Sequence, residues 1–368
     1  MSAGLEGVVA AETRLSRVDG NGGRLVVAGH DIEELATEWR LSDVAALLWS
    51  VEGGKSLSGP EVEVGLARAR GVAAERVSRL LSVSAGATPV EALRIGWSLF
   101  VDTDPADHGL DAATLLTGSA PVFVAAHQRS ANGMTPLLPD PARDHASDTL
   151  ALLGLDSSAL PARALERYLI TVADHGINAS TFTARVVAST RAGKISSVVA
   201  ALCALKGPLH GGAPGPVLDM LDEIGSKPNI AAWIDAALED GSRMMGFGHR
   251  VYRTRDPRAD ILKGIVGDLK QDSARIEFAE AVEQGVLDAL ATRYPGRRLD
   301  TNVEFYTALA LDGIGLPREL FTPAFAMGRV IGWCAHIREQ VASGRLIRPA
   351  SQYVGALPDG AVELRMAG

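Results

Sequence analysis

Apolar residues recur at the helical period through most of this chain, and strand-like alternation is confined to its N-terminal region. Leu165, Tyr168, Leu169 and Val172 fall at i, i+3, i+4 and i+7, which predicts a helix over 162–173 with Pro161 in its first turn. The run 195–205 (ISSVVAALCAL) is almost wholly apolar and stops at Lys206-Gly207-Pro208, the pattern of a buried helix with a hard end. A third helix is predicted over 323–343, capped by Thr322-Pro323 and closed before Gly344. Its small residues Ala324, Ala326, Gly328, Gly332 and Ala335 would let a second helix approach closely. The exception is a hairpin signal. Residues 15–18 and 24–27 flank the turn-rich Asp19-Gly20-Asn21-Gly22-Gly23. Strands do not alternate with helices, so a doubly wound parallel sheet is disfavoured. The polar stretch 128–149, with three prolines, reads as a linker or surface loop. The fold class is mainly α with a small N-terminal β-hairpin.

The length of 368 residues accommodates one large domain or two to three ordinary ones. Apolar residues make up 47% and charged residues 22%, so the chain is globular. With 44 acidic against 36 basic residues the net charge is −8, which disfavours a general nucleic-acid face. Cys203 and Cys334 cannot form a disulfide framework or a cysteine-ligated zinc site, and both lie in apolar stretches where burial is expected. No apolar run approaches the ~20 residues of a spanning helix. Residues 1–14 carry Glu6 and Glu12 without a basic segment ahead of an apolar core, so no secretory signal is read. The expected address is cytoplasmic, with no membrane partner.

Several motifs fail on inspection. Gly20-Asn21-Gly22-Gly23 lacks the third glycine and the strand–turn–helix context of a dinucleotide site. Gly54-Lys55-Ser56 resembles the tail of a phosphate loop, but Trp49 stands where that loop needs glycine. Gly96-Trp97-Ser98 lacks the final glycine of a nucleophile elbow. The histidines show no metal-binding spacing beside a carboxylate cluster, so no metal is expected.

Three segments hold. Each places a histidine among glycines or small residues: Asp174-His175-Gly176, Leu209-His210-Gly211-Gly212 and Gly246-Phe247-Gly248-His249. Such turns expose an imidazole and backbone amides together, although a histidine at a helix C-terminus can equally be structural. Between Arg243 and Asp260 five arginines (Arg243, Arg250, Arg253, Arg255, Arg258) face Asp256 and Asp260, a cationic patch in an acidic chain. It suits a solvated, ion-paired helix face or a small polyanion held by arginine forks. Asn302 reads as an N-cap that puts Glu304 in a first helical turn, where it serves the helix dipole or acts as a general base. Histidines, a carboxylate and arginines without a nucleotide loop suit proton abstraction beside a carbonyl in an anionic substrate.

At these residues the chain resembles the citrate synthase family. The segments ADHGINASTFTARVVAST (173–190), GPLHGGA (207–213), MGFGHRVYRTRDPRA (245–259) and NVEFYTALALDGIGLPRELFTPAFAMGRVIGWCAH (302–336) read like that family's signature blocks, and the likeness covers nearly the whole chain. The resemblance implies a helical homodimer with a two-domain subunit. Residues 1–211 and 316–368 would form the large domain, and 212–315 a small domain that closes over the cleft. It implies a Claisen condensation of acetyl-CoA with oxaloacetate, followed by hydrolysis of citryl-CoA, with no cofactor. The resemblance assigns enol stabilisation to His210, ketone polarisation to His249 and proton abstraction to Glu304, where the family usually has aspartate. It further implies that His175, Arg258 and Arg329 hold oxaloacetate or citrate, and that Arg348 reaches the partner subunit's site. Arg253 matches a coenzyme A phosphate contact, with Arg250 and Arg255 beside it. Two alternatives stay open: 2-methylcitrate synthesis from propionyl-CoA, since one methylene changes discrimination by only about 1–3 kcal/mol, and a weakly catalytic paralogue that binds citrate or acyl-CoA.

Overall fold

Helix Ala112–Ala131 is buried at every residue from Ala112 to Gln128, as its nearly uniform apolar sequence requires. The structure, a computed structural model, describes all residues except 1–3, 6, 52–55, 212–213, 249–251, 253, 255, 270–272, 298 and 357–368, and excludes the side chains of 214, 273 and 343. Around the buried helix pack Gly59–Ala74, Val77–Val83, Pro89–Ser98, His145–Leu153 and Phe321–Ser343. Gly118 allows the close approach of Gly59–Ala74: a Cβ there would lie 2.6 Å from the Ala69 Cβ and 2.8 Å from the Leu66 carbonyl oxygen. Buried tryptophans close the layer by donating to carbonyls whose helices pass beside them: Trp49 to Ile331 and Trp97 to Leu116, both at 3.0 Å.

The helix predicted over 162–173 spans Ala159–Val172, and that over 195–205 spans Lys194–Leu205. The small-residue stripe is used as expected. Phe321–Ser343 crosses Ala159–Val172 with Gly328 and Gly332 at the contact, where a Cβ would meet the Leu169 carbonyl oxygen at 2.7 Å and the Ala173 carbonyl oxygen at 2.2 Å. Its start differs from the sequence expectation. The helix begins at Phe321 after a 3₁₀ turn, Arg318–Leu320, and Thr322 is no cap. Pro323 needs no N–H in the first turn, while the Thr322 hydroxyl donates instead to the Gly211 carbonyl at 3.1 Å. Cys334 is buried as expected, and burial pushes its thiol up to about 12. Cys203 is exposed, contrary to expectation. Val198, Ala201, Leu202 and Leu205 form the buried face of its helix, and position 203 points away from it.

The hairpin forms, with β1 (Ser16–Asp19) antiparallel to β2 (Arg24–Val27) and Ser16 opposite Val27. Asp19 accepts from the N–H groups of Asn21 and Gly22, which closes the turn. A two-residue strand, β3 (His30–Asp31), which the sequence did not reveal, adds to β2. Of the polar stretch 128–149 only residues 132–144 form a surface loop; its ends belong to helices Ala112–Ala131 and His145–Leu153.

A second group of helices follows residue 213. Pro214–Ile224 and Pro257–Leu269 pack on Val303–Gly313, and Ile230–Glu239 packs on Ser273–Arg293. Helix Pro257–Leu269 also contacts Ala159–Val172 and Ile32–Glu38, so it joins this group to the first.

Candidate active site

His210 sits in the turn after helix Lys194–Leu205, where Gly211 N–H returns to the Leu205 carbonyl at 2.9 Å. A Cβ at Gly211 would be 2.7 Å from that oxygen, so the turn needs glycine. The half-buried imidazole faces the start of helix Ala179–Ser189. There the Ser180 N–H lies 3.3 Å and the Ser180 hydroxyl 2.8 Å from Nε2. A backbone N–H only donates, so Nε2 is the acceptor and the ring proton is assigned to Nδ1. Burial, with the nearby Arg329 charge, pushes the imidazole pKa down to about 4. His210 is therefore a neutral N–H donor at neutral pH.

Arg329, buried on helix Phe321–Ser343, donates from Nε to the Val172 carbonyl at 2.6 Å and stacks over Phe325 at 4.7 Å. Its Nη groups make no hydrogen bond to a described residue. Burial pushes its pKa down to about 10, so it remains a cation at neutral pH. Arg258 is buried as well and forks onto Asp256, with Nε–Oδ1 at 3.0 Å and Nη2–Oδ2 at 2.8 Å. It enters the site as half of an ion pair. The Tyr252 ring lies 5.8 Å from its guanidinium, and the Tyr252 hydroxyl is 3.2 Å from His175 Nε2.

Glu304 stands in the first turn of Val303–Gly313, and the expected cap is present: Asn302 Oδ1 accepts from Glu304 N–H at 2.9 Å. Asn302 also ties this turn to the Gly246–Gly248 segment, accepting nothing there but donating Nδ2 to the Gly248 carbonyl at 2.8 Å and its own N–H to the Gly246 carbonyl at 2.9 Å. Gly246 has φ +88°, and a Cβ there would strike Phe305 at 2.8 Å. Burial raises the Glu304 pKa, and the charges of Arg243 and Arg258 only partly oppose it. Its Oε2 is buried and has no hydrogen-bond partner among the described residues.

The structure thus gathers His210, Arg329, Arg258, Glu304 and His175 through mutual electrostatic and hydrogen-bond contact. His249, Arg250, Arg253 and Arg255 lie outside the described residues. Arg348 is exposed and is not brought to this site within the chain. Its neighbour Ile347 donates to Ser189 Oγ at 3.0 Å, at the opposite end of helix Ala179–Ser189 from Ser180. Ser180 and Tyr252 were not singled out from sequence, and Asp256 was read only as an acid opposite the arginine patch, two residues before Arg258. Among the described residues no cluster could hold a metal ion, and no helix is long and apolar enough to cross a membrane.

A neutral imidazole donor, a carboxylate made more basic by burial and two buried guanidiniums define an enzyme that removes a proton beside a carbonyl of an anionic substrate. Comparison with known proteins narrows the class. Residues 4–350 match the family model for the citrate synthase C-terminal domain. The citrate synthase of Haloferax volcanii is 36% identical, over 96% of both chains. Citrate synthase 2 of Bacillus subtilis is 37% identical, over 96% of this chain and 95% of the relative. Among solved structures, citrate synthase from Thermotoga maritima superposes with a TM-score of 0.85 at 32% identity, covering 98% of each chain. Citrate synthase from Thermoplasma acidophilum, in a ternary complex with carboxymethyl coenzyme A and oxaloacetate, gives a TM-score of 0.85 at 28% identity over 99% of this chain and 98% of that one. This chain belongs to the citrate synthase family.

Proposed function

We propose that the enzyme condenses acetyl-CoA with oxaloacetate and hydrolyses the resulting citryl-CoA to citrate and coenzyme A. The observation that carries this reading is a fixed neutral donor, His210, beside buried Arg329, and a raised-pKa base, Glu304, beside buried Arg258, the two guanidiniums near enough to act on each other. A thioester methyl group is a very weak acid, so a carboxylate needs help to ionise it. Glu304 takes the methyl proton while the C–H electron pair forms the enol carbon–carbon double bond. The thioester oxygen gains charge, which the Nδ1–H of His210 meets. The enol carbon then attacks the oxaloacetate ketone, and His249 supplies the proton to the new alkoxide. Water cleaves the thioester and releases the coenzyme A thiol.

Arg329, Arg258 and His175 hold the dianionic oxo acid in this reading, and Arg250, Arg253 and Arg255 meet coenzyme A phosphates. The Thermoplasma relative's complex with a coenzyme A derivative and oxaloacetate supports these two ligand classes. Residues 212–315 act as a small domain closing on a large one built from 1–211 and 316–368. The turns at Gly211 and Gly315, the latter with φ +77°, supply hinges at both crossings. The enzyme works as a cytoplasmic homodimer, needs no metal or cofactor, and uses Arg348 in the partner's site. The position of the 347–348 tail at the far end of helix Ala179–Ser189 supports that exchange. Free coenzyme A, followed with a thiol reagent, tests the proposal: release with oxaloacetate should be faster from acetyl-CoA than from propionyl-CoA. Release from neither would refute it, and a propionyl-CoA preference would move the assignment to 2-methylcitrate synthesis.

A further inference from the structure

Behind the oxo-acid site runs a buried polar row that the proposed mechanism does not use. Asp174, His336, Arg185, Glu339 and Gln340 are all buried. Arg185 pairs with Glu339, donates from Nε to Gln340 Oε1 at 3.0 Å, and places Nη1 3.0 Å from His336 Nδ1. A guanidinium only donates, so His336 Nδ1 accepts and the ring proton resides on Nε2. Nε2–H then donates to Asp174 Oδ1 at 3.1 Å.

Arg329 lies close by: its Nε donates to the carbonyl of Val172, two residues before Asp174, and its charge acts on that carboxylate. Burial raises the Asp174 pKa, but His336, Ser16 and Arg329 outweigh it, so the carboxylate is held below its ordinary value. Asp174 in turn is the strongest charge favouring protonated Arg329. Yet no ion pair within 4.0 Å joins them. Gly332, one helical turn on from Arg329, gives Asp174 its room: a Cβ there would sit 2.9 Å from Asp174 Oδ1. A buried carboxylate that loses a donor turns to the nearest cation, because unpaired burial is costly. For Asp174 that cation is Arg329, whose fork would then be filled from within the protein.

We infer that His336 is a positioning residue for the oxo-acid site: by holding Asp174 it keeps that carboxylate off Arg329 and leaves the guanidinium for a substrate carboxylate. The same bond steadies the turn that carries His175, whose next residue, Gly176, donates its N–H to Ser16 Oγ at 2.9 Å. This rests on the reading of Arg329 as an oxo-acid ligand.

Two amide variants of the full-length protein separate positioning from packing. The amide nitrogen of His336→Gln reaches the Nε2 position and keeps the bond to Asp174. The amide of His336→Asn reaches only the Nδ1 position and keeps the contact with Arg185. Calorimetric titration with oxaloacetate alone should show His336→Gln within about threefold of the parent and His336→Asn weakened about tenfold or more, the scale of a lost charge-assisted bond. Adding Asp174→Asn to His336→Asn should recover most of the loss, because the competing charge is gone. Equal weakening in both amide variants, or undiminished binding by His336→Asn, would overturn the inference. Should His336→Asn not fold, Asp174→Asn alone asks the same question: its carboxamide still accepts from His336, so near-parental oxaloacetate binding supports competition and a loss of about tenfold refutes it. A parent protein that binds oxaloacetate but releases no coenzyme A would refute the synthase reading and leave this one standing. A parent that binds no oxaloacetate would overturn both.

Discussion

Ser180 meets His210 Nε2 twice, through its backbone N–H at 3.3 Å and its hydroxyl at 2.8 Å. The hydroxyl has other partners too: it accepts from Trp333 Nε1 at 3.1 Å and lies 2.9 Å from Asn178 Oδ1. One hydroxyl proton serves two acceptors, so the backbone N–H is the donor that fixes the tautomer. Helix Ala179–Ser189 therefore presents its N-terminal amide to the imidazole, and the side chain supports it.

Ser180→Ala should accordingly be mild. It removes one neutral hydrogen bond, worth about 1 kcal/mol, and should lower kcat about fivefold. His210→Ala removes the donor itself and should lower kcat about 10²–10³-fold. Steady-state kinetics at saturating substrates compare the two. Equal losses would show that the hydroxyl, not the amide, sets the tautomer.

Glu304 must be ionised to accept a proton, and burial raises its pKa. Activity should therefore fall as pH drops through a value above the ordinary carboxylate range. His210, with its pKa near 4, stays neutral across that limb and does not set it. The Arg243 charge favours ionised Glu304. Arg243→Met should raise that pKa further and move the acid limb of kcat/KM to higher pH. A limb that stays in place, or moves to lower pH, contradicts the assignment of Glu304 as the base. Glu304→Gln should abolish turnover while leaving oxaloacetate binding largely intact.

Gly332→Ala would put a Cβ 2.2 Å from the Ala173 carbonyl oxygen, inside a helix crossing with no slack. The helices must part, at a cost of about 1–3 kcal/mol typical of overpacking. Urea unfolding should show a lower midpoint at unchanged slope. Because Ala173 precedes Asp174 and His175, oxaloacetate binding should weaken as well. Parental stability would mean that the crossing is looser than it stands here.

Local pattern made much of this legible. The 3.6-residue period located the helices around the site, the small residues of Phe321–Ser343 announced a close crossing, and Asn302 before Glu304 announced a capped first turn. What was hidden depends on long-range contact. His336 and Asp174 are 162 positions apart, and Trp333 and Ser180 are 153 apart, so no spacing rule pairs them. Arg258 read as one of five arginines on a solvated, ion-paired face or an anion site, and the fold pairs it with Asp256 and buries both. Cys203 shows the limit of composition. Its helix is apolar almost throughout, and only the packing direction reveals which face meets the core.

The most direct measurement follows the new carbon–carbon bond. The protein would be incubated with oxaloacetate and acetyl-CoA labelled with ¹³C in both acetyl carbons, and the products identified by mass spectrometry. Citrate carrying both labelled carbons, formed in equal amount with free coenzyme A, is the predicted result. Labelled acetate in place of labelled citrate, or intact acetyl-CoA, would contradict it.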